Sequence, residues 1–145
     1  MRVCGVELKG AEAIISLVGY DKEAFNVPEC RKHSFVVTDA DNQEAIREFH
    51  FAFAKLMADY KVEHIIIVER EQKGKLAGSA IGFKLEAAIQ LGELPVTLLK
   101  PTVIRELCKR NPPQVDYDVL GLKRFQLPAF EAGYAFLNGR IYGKL

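Results

Sequence analysis

Hydrophobic and polar positions alternate with a period of two at the start of the chain. From Arg2 to Leu8, Cys4, Val6 and Leu8 share one face of an extended segment, and Val3, Gly5 and Glu7 share the other. Lys9-Gly10-Ala11-Glu12 supplies a turn, with Gly10 free to take a positive φ. Ala13 to Val18, AIISLV, returns as a second strand. Gly19-Tyr20-Asp21 breaks the alternation, and residues 20–31, with Pro28 among them, predict a loop. His33 to Thr38, HSFVVT, predicts a third strand. The pattern then changes period. Asp41 with Glu44 has the form of a capping box, with Asp in place of Ser or Thr. Ile46, Phe49, Phe53, Leu56, Met57 and Tyr60 follow as one apolar helical face.

That helix leads into Lys61 to Glu71, KVEHIIIVERE, around which the rest is organised. Ile65 to Val68 is an unbroken β-branched run, which predicts a strand buried on both faces of a parallel sheet. Glu69 continues the row of Ile65 and Ile67 at the carboxyl end of this strand, where open α/β sheets place their ligands. A carboxylate there needs a basic partner, an exposed position or a metal ion. Beyond it, Arg70 to Lys75 is polar, and a helix is predicted over 79–91 with Ile81, Leu85, Ala88 and Ile89 inward and Gly92 as its stop. Pro95 to Leu99 predicts a fifth strand. Pro101 opens a helix carrying Val103, Ile104, Leu107 and Cys108, which Asn111-Pro112-Pro113 ends. Residues 114–126 have no clear period, and Pro128 starts a last helix with Phe130, Glu131, Tyr134, Ala135 and Leu137. The expected fold is α/β: a five-stranded mixed sheet, an antiparallel meander followed by parallel β-α-β crossovers, with helices on both faces.

Composition narrows the class. With 145 residues, 49% hydrophobic and 27% charged, the chain reads as one globular domain over 1–145. No apolar run approaches a membrane span, and the first residues lack the apolar stretch of a signal peptide. Three widely spaced cysteines, Cys4, Cys30 and Cys108, argue for a reducing, cytoplasmic setting. A net charge of +1 provides no global field for nucleic acid, so any such binding must come from a local patch.

Glu7 lies near the end of the first strand, Glu69 at the end of the fourth, and Glu131 early in the last helix. Val6-Glu7-Leu8-Lys9-Gly10, Ile67-Val68-Glu69-Arg70, GKLAGSA from Gly74 to Ala80, FKLEAAIQL from Phe83 to Leu91, VTLLKPTVI from Val96 to Ile104, and Glu131-Ala132-Gly133-Tyr134-Ala135 carry a resemblance over nearly the whole chain. The pattern resembles the RNase H-like superfamily, and within it the RuvC-type Holliday-junction resolvases, as a small bacterial family of that fold. The resemblance implies a metal-dependent nuclease in which Glu7, Glu69 and Glu131 converge as catalytic residues and metal ligands. All-oxygen ligands imply Mg²⁺ or Mn²⁺, which would activate water and stabilise the leaving oxygen of a phosphodiester. Two positions depart from the family. The first acid is Glu rather than Asp, and Pro128 stands three residues before Glu131, where a second acid is usual.

Other readings stand beside this one. Glu7 is equally readable as a strand-end acid paired with Lys9 or Arg70. Lys9, Lys73 and Lys75 border the site and are candidate phosphate contacts to DNA or RNA, or a solvated charge run. Phe51 lies off the apolar face of its helix and is a candidate homodimer contact. His33, His50 and His64 have no ligand-like spacing. The alternative function is a non-catalytic member of the same fold, binding nucleic acid or protein. A small-molecule enzyme on a Rossmann-like sheet is disfavoured, because no GxGxxG or P-loop follows a strand.

Overall fold

The computed structural model describes residues 1–143. Its core is a mixed sheet. Strands β1 (Arg2–Lys9) and β2 (Glu12–Asp21) form the hairpin, and β5 (His64–Val68) and β6 (Val96–Leu99) are the crossover strands. The path across the sheet is β3-β2-β1-β5-β6, where β3 is Ala24–Asn26, and β4 (Ser34–Val36) also pairs with β2. β1 is therefore interior and runs parallel to β5, with Val6 opposite Ile67, while β5 runs parallel to β6.

The sheet has six strands rather than the expected five, because residues 20–31 are not all loop. β2 continues through Gly19, Tyr20 and Asp21 and pairs with β3. The turn between them uses Lys22 and Glu23, both at positive φ (52° and 62°), so a tight hairpin forms without the Gly or Asn that signals one.

Helix α1 (Gln43–Asp59) buries Phe49, Phe53, Leu56 and Met57, each contributing about 1.5–3 kcal/mol by leaving water. Its cap is Asn42 rather than Asp41: Asn42 Oδ1 accepts from the N–H groups of Glu44 and Ala45. Asp41 is turned outward to an ion pair with Lys84 at 2.8 Å. Helix α2 (Ala80–Gln90) is capped by Ser79, whose Oγ accepts from the Gly82 N–H and donates to the Gly10 carbonyl. That bond ties the start of α2 to the β1–β2 turn. α1 and α2 cover one face of the sheet, over Cys4, Val6, Leu8, Ile65 and Ile67. Helices α3 (Pro101–Arg110) and α5 (Leu127–Ile141) cover the other, over Val3, Val18, Ile66 and Val68. A short helix α4 (Tyr117–Leu120) and a 3-10 turn (Arg124–Gln126) lie before α5.

α5 lies against the sheet at very short range. A Cβ on Gly5 would fall 1.8 Å from the Ala129 carbonyl oxygen, and one on Gly133 would fall 2.9 Å from a Val18 methyl. Glycine is needed at both because helix and strand backbones nearly touch. The start of α5 is fixed by Gln126, whose Nε2 donates to the Ile15 carbonyl at 2.9 Å. Ile15 pairs with Val6, so α5 begins over the carboxyl end of β1.

Candidate functional site

The carboxyl ends of β1, β5 and β6 form one edge of the sheet, and both strand-borne glutamates lie there. Glu7 is the third-from-last residue of β1, and Glu69 directly follows β5. The Glu69 N–H still donates to the Leu99 carbonyl at 2.9 Å, so the strand alternation runs on through it. Val6 opposite Ile67 puts Val68, not Glu69, opposite Glu7. Glu7 thus falls on the face of Val3 and Gly5, beneath α5, and Glu69 on the face of Ile65 and Ile67, beneath α2.

Their electrostatic surroundings agree with this separation. The Glu7 carboxyl is half-buried, and burial raises its pKa above the usual carboxylate range. Lys9 and Arg70 pull it down and Glu12 pushes it up, but burial prevails. No ion pair to Lys9 or Arg70 forms among the described residues; the Arg70 guanidinium donates to the Leu8 carbonyl at 2.8 Å instead. Glu69 shares a cleft of about 390 Å³ with Lys73, Phe83, Glu86 and Leu98. The Glu86 carboxyl is raised by burial and then by the charge of Glu69. Glu131 belongs to a third neighbourhood. It is half-buried on α5, its pKa is raised by burial, and its charge acts on Cys108 of α3 and Tyr117 of α4. Burial, aided by Glu131, pushes the Cys108 thiol up to about 11. Pro128 is exposed.

The structure therefore brings Glu7 and Glu69 to one edge but not to one face, and it sets Glu131 against α3. Among the described residues no three His, Cys, Asp or Glu side chains stand close enough to hold one metal ion. The donor chemistry suits Mg²⁺ or Mn²⁺, but the arrangement does not fit an ion shared by these three residues.

Basic residues gather at the same edge. Lys9 ends β1, and Lys73 and Lys75 sit on the loop between β5 and α2, with Gly74 at φ 89° between them. The loop closes on itself through the Gly78 N–H to the Glu71 carbonyl at 2.8 Å. Lys100 follows β6; Lys123 and Arg124 precede α5, with Lys123 on the cavity beside residues 27–33. All six are exposed. The ion pairs among the described residues are Arg31–Asp59, Lys55–Asp59, Lys84–Asp41 and Arg110–Glu106, none of which occupies these six. Sequence reasoning missed Glu86 and Lys100 as edge residues, and it read Arg70 as an ion-pair partner for Glu7 rather than as the donor to Leu8. Only the seating of α2, the Arg70–Leu8 bond and the end of β6 place them there.

Residues 1–136 match a family model described as protein of unknown function (DUF3010). The chain belongs to that family. No curated protein matches it. Among solved structures, this DUF3010 chain is similar to Thermus thermophilus RuvC, with a TM-score of 0.77 and 12% identity over 99% of this chain and 98% of that one. T. thermophilus RuvC in complex with a Holliday junction substrate gives a TM-score of 0.74 and 13% identity over 99% and 97%. A Fowlpox virus resolvase bound to Holliday junction DNA gives 0.56 and 14% identity over 97% and 99%. At such identities the likeness shows the fold, which is that of the RuvC-type resolvases. The expected mixed sheet with helices on both faces is thereby borne out. No helix of the described residues is long and apolar enough to cross a membrane. Phe51 is 69% exposed on the outer side of α1.

Proposed function

We propose that the chain binds nucleic acid across the carboxyl edge of its sheet, with Lys9, Lys73 and Lys75 meeting phosphates. The observation that carries this reading is the set of exposed lysines at that edge, Lys9, Lys73, Lys75 and Lys100, free of ion pairs among the described residues. A cation already held by a carboxylate must give that partner up before it can hold a phosphate; these need not. With a net charge of +1, affinity rests on this local row rather than on long-range attraction. The resolvase fold supports the reading by analogy of architecture. Labelled duplex, four-way-junction and single-stranded DNA and RNA, titrated by fluorescence anisotropy across a salt series, test it. Each phosphate contact adds about −0.9 to the log–log salt slope on duplex DNA, so Lys73→Ala with Lys75→Ala flattens that slope by roughly 1.8. Absence of binding to every substrate at low salt would sink the proposal.

A metal-dependent nuclease is the second reading, favoured by the half-buried carboxyl of Glu7 at the end of an interior strand. In it Glu7, Glu69 and Glu131 are the oxygen ligands of Mg²⁺ or Mn²⁺, and the ion supplies the activation of water. The positions of the three side chains do not support a shared ion, so no hydrolytic step is derived. Mn²⁺-dependent cleavage of a labelled junction, lost in Glu7→Gln, would put this reading first.

A further inference from the structure

We infer that this chain pairs with a second copy of itself through the outer side of α1, the two helices antiparallel and each Phe51 seated in the other copy's groove. The inference is independent of the nucleic-acid reading. α1 uses one stripe, Phe49, Phe53, Leu56 and Met57, to cover the sheet. A second stripe faces away from it. Glu44, Arg47, Phe51, Ala54, Ala58 and Lys61 recur at alternating spacings of three and four, and each is exposed. That is the spacing of a helix–helix seam, here apolar in the middle and charged at both ends. No described residue covers its central aromatic, Phe51, which is 69% exposed.

Phe51 stands on the rim of a groove between α1 and the end of α2. Ala54, Ala58 and Lys61 form one side and Leu91 and Glu93 the other, around about 430 Å³. Leu91, which ends α2, is 80% exposed. His50 Nδ1 donates to the Ala88 carbonyl at 2.8 Å and fixes the two helices on either side of the groove. A protruding aromatic and an apolar groove therefore lie side by side on one face. A two-fold pairing needs that combination, because one patch must supply both the knob and the hole.

Charge selects a second copy as the occupant and sets its direction. Parallel helices would set Glu44 on Glu44, Arg47 on Arg47 and Lys61 on Lys61, and like charges brought together at an interface are costly. Reversed so that Phe51 faces Ala54 of the second copy, the same register sets Glu44 against its Lys61. Arg47 then lies along its Ala58, beside its Asp59. Glu44, Arg47 and Lys61 hold no ion pair among the described residues, so each is available to the other copy. A helix of an unrelated protein would have to reproduce this order of charges; a second copy already carries it.

Sedimentation equilibrium of the full chain from micromolar to millimolar concentration tests the pairing, with circular dichroism as the control for folding. The wild type is expected to dimerise. Phe51→Glu is expected to raise the dissociation constant at least about a hundredfold at unchanged helix content, since the two-fold axis counts the loss twice. Glu44→Lys or Lys61→Glu alone is expected to weaken the dimer about tenfold, and the two together to restore it. Carbodiimide coupling of mixed ¹⁴N and ¹⁵N wild-type chains reads the direction. Glu44 and Lys61 lie about 25 Å apart along one α1, so an amide between them joins two chains and requires antiparallel helices. That amide is expected between differently labelled chains. A chain that stays monomeric throughout overturns the inference and leaves the groove to another protein's helix. A dimer indifferent to Phe51→Glu overturns it as well, as does one that lacks the Glu44–Lys61 amide and is not restored by the double variant.

Discussion

On one face of the sheet, α1 presents an apolar stripe to the core and an exposed charged side, Arg47, Glu48 and Lys55 among it, to solvent. On the other face, α5 is buried from Ala132 through Gly139 without a break. The first helix stands off on large side chains, Phe49 and Phe53 against Phe35 at 5.7 and 5.5 Å between ring centres. The second drops onto the strands through Ala129 and Gly133, so that only a glycine fits at position 5. The two glutamates at the strand ends inherit this difference. Glu7 lies on the tight α5 face, and Glu69 on the looser α2 face, where a cleft opens beside it. A carboxylate's neighbours are set by the face its strand position assigns, not by its distance along the edge.

The largest expected effect breaks the tight face. Gly5→Ala puts a methyl group into the backbone of α5, and urea unfolding should show a loss of at least about 3 kcal/mol, because neither backbone can yield. The volume-conserving Met57→Leu on the α1 face should cost less than about 1.5 kcal/mol. Equal losses from the two would remove the distinction between the faces.

Charge at Glu7 gives a smaller effect with a definite sign. Burial raises its folded pKa above the ordinary 4.5. The folded state then holds this proton more tightly than the unfolded chain does. The contribution is fully present below the ordinary value and is lost as pH rises through the folded one. Glu7→Gln keeps the shape without the ionisation, so it should melt higher than wild type at pH 7, by a margin that solvent screening of a half-exposed carboxylate keeps small. The difference should vanish near pH 4. Glu86 and Glu131 act with the same sign, and His64, its pKa lowered by burial and then by Arg140, with the opposite one. Subtracting the two melting curves isolates Glu7. A Gln variant that melts lower at pH 7 would mean that Lys9 and Arg70 outweigh burial.

A third effect is local to the looser face. Asn42→Ala removes the acceptor for two N–H groups at the start of α1 and should cost about 1 kcal/mol by urea unfolding. Asp41→Ala should cost less than half of that, since Asp41 holds only an exposed pair with Lys84. The reverse order would restore the capping box expected from Asp41 and Glu44.

Much of this fold was legible because most elements carry a single period. The β1–β2 hairpin, the buried run at Ile65–Val68 and the stripe of α1 each match one template. β3 was not legible, since it has three residues and a turn of Lys22 and Glu23 whose positive φ no turn residue announces. The positions of Glu7 and Glu69 along their strands were legible, and so was the face of each within its own strand. What the alternation could not supply was the register between strands. With Val6 opposite Ile67 the two carboxylates part; a shift by one residue would have aligned them. Glu86 stayed hidden for a related reason, because its approach to Glu69 depends on how α2 seats over β5.

The separation of Glu7 from Glu69 is tested most directly by a double-mutant cycle. Wild type, Glu7→Gln, Glu69→Gln and the double variant would be unfolded in urea at pH 7, with and without millimolar Mn²⁺. Carboxylates on opposite faces should act independently, so the single effects should add within about 0.5 kcal/mol in both conditions, and Mn²⁺ should not change that. A stabilisation of wild type by Mn²⁺ that either single substitution abolishes, with a coupling well beyond that margin, would mean that the two share an ion and that the sheet does not divide them.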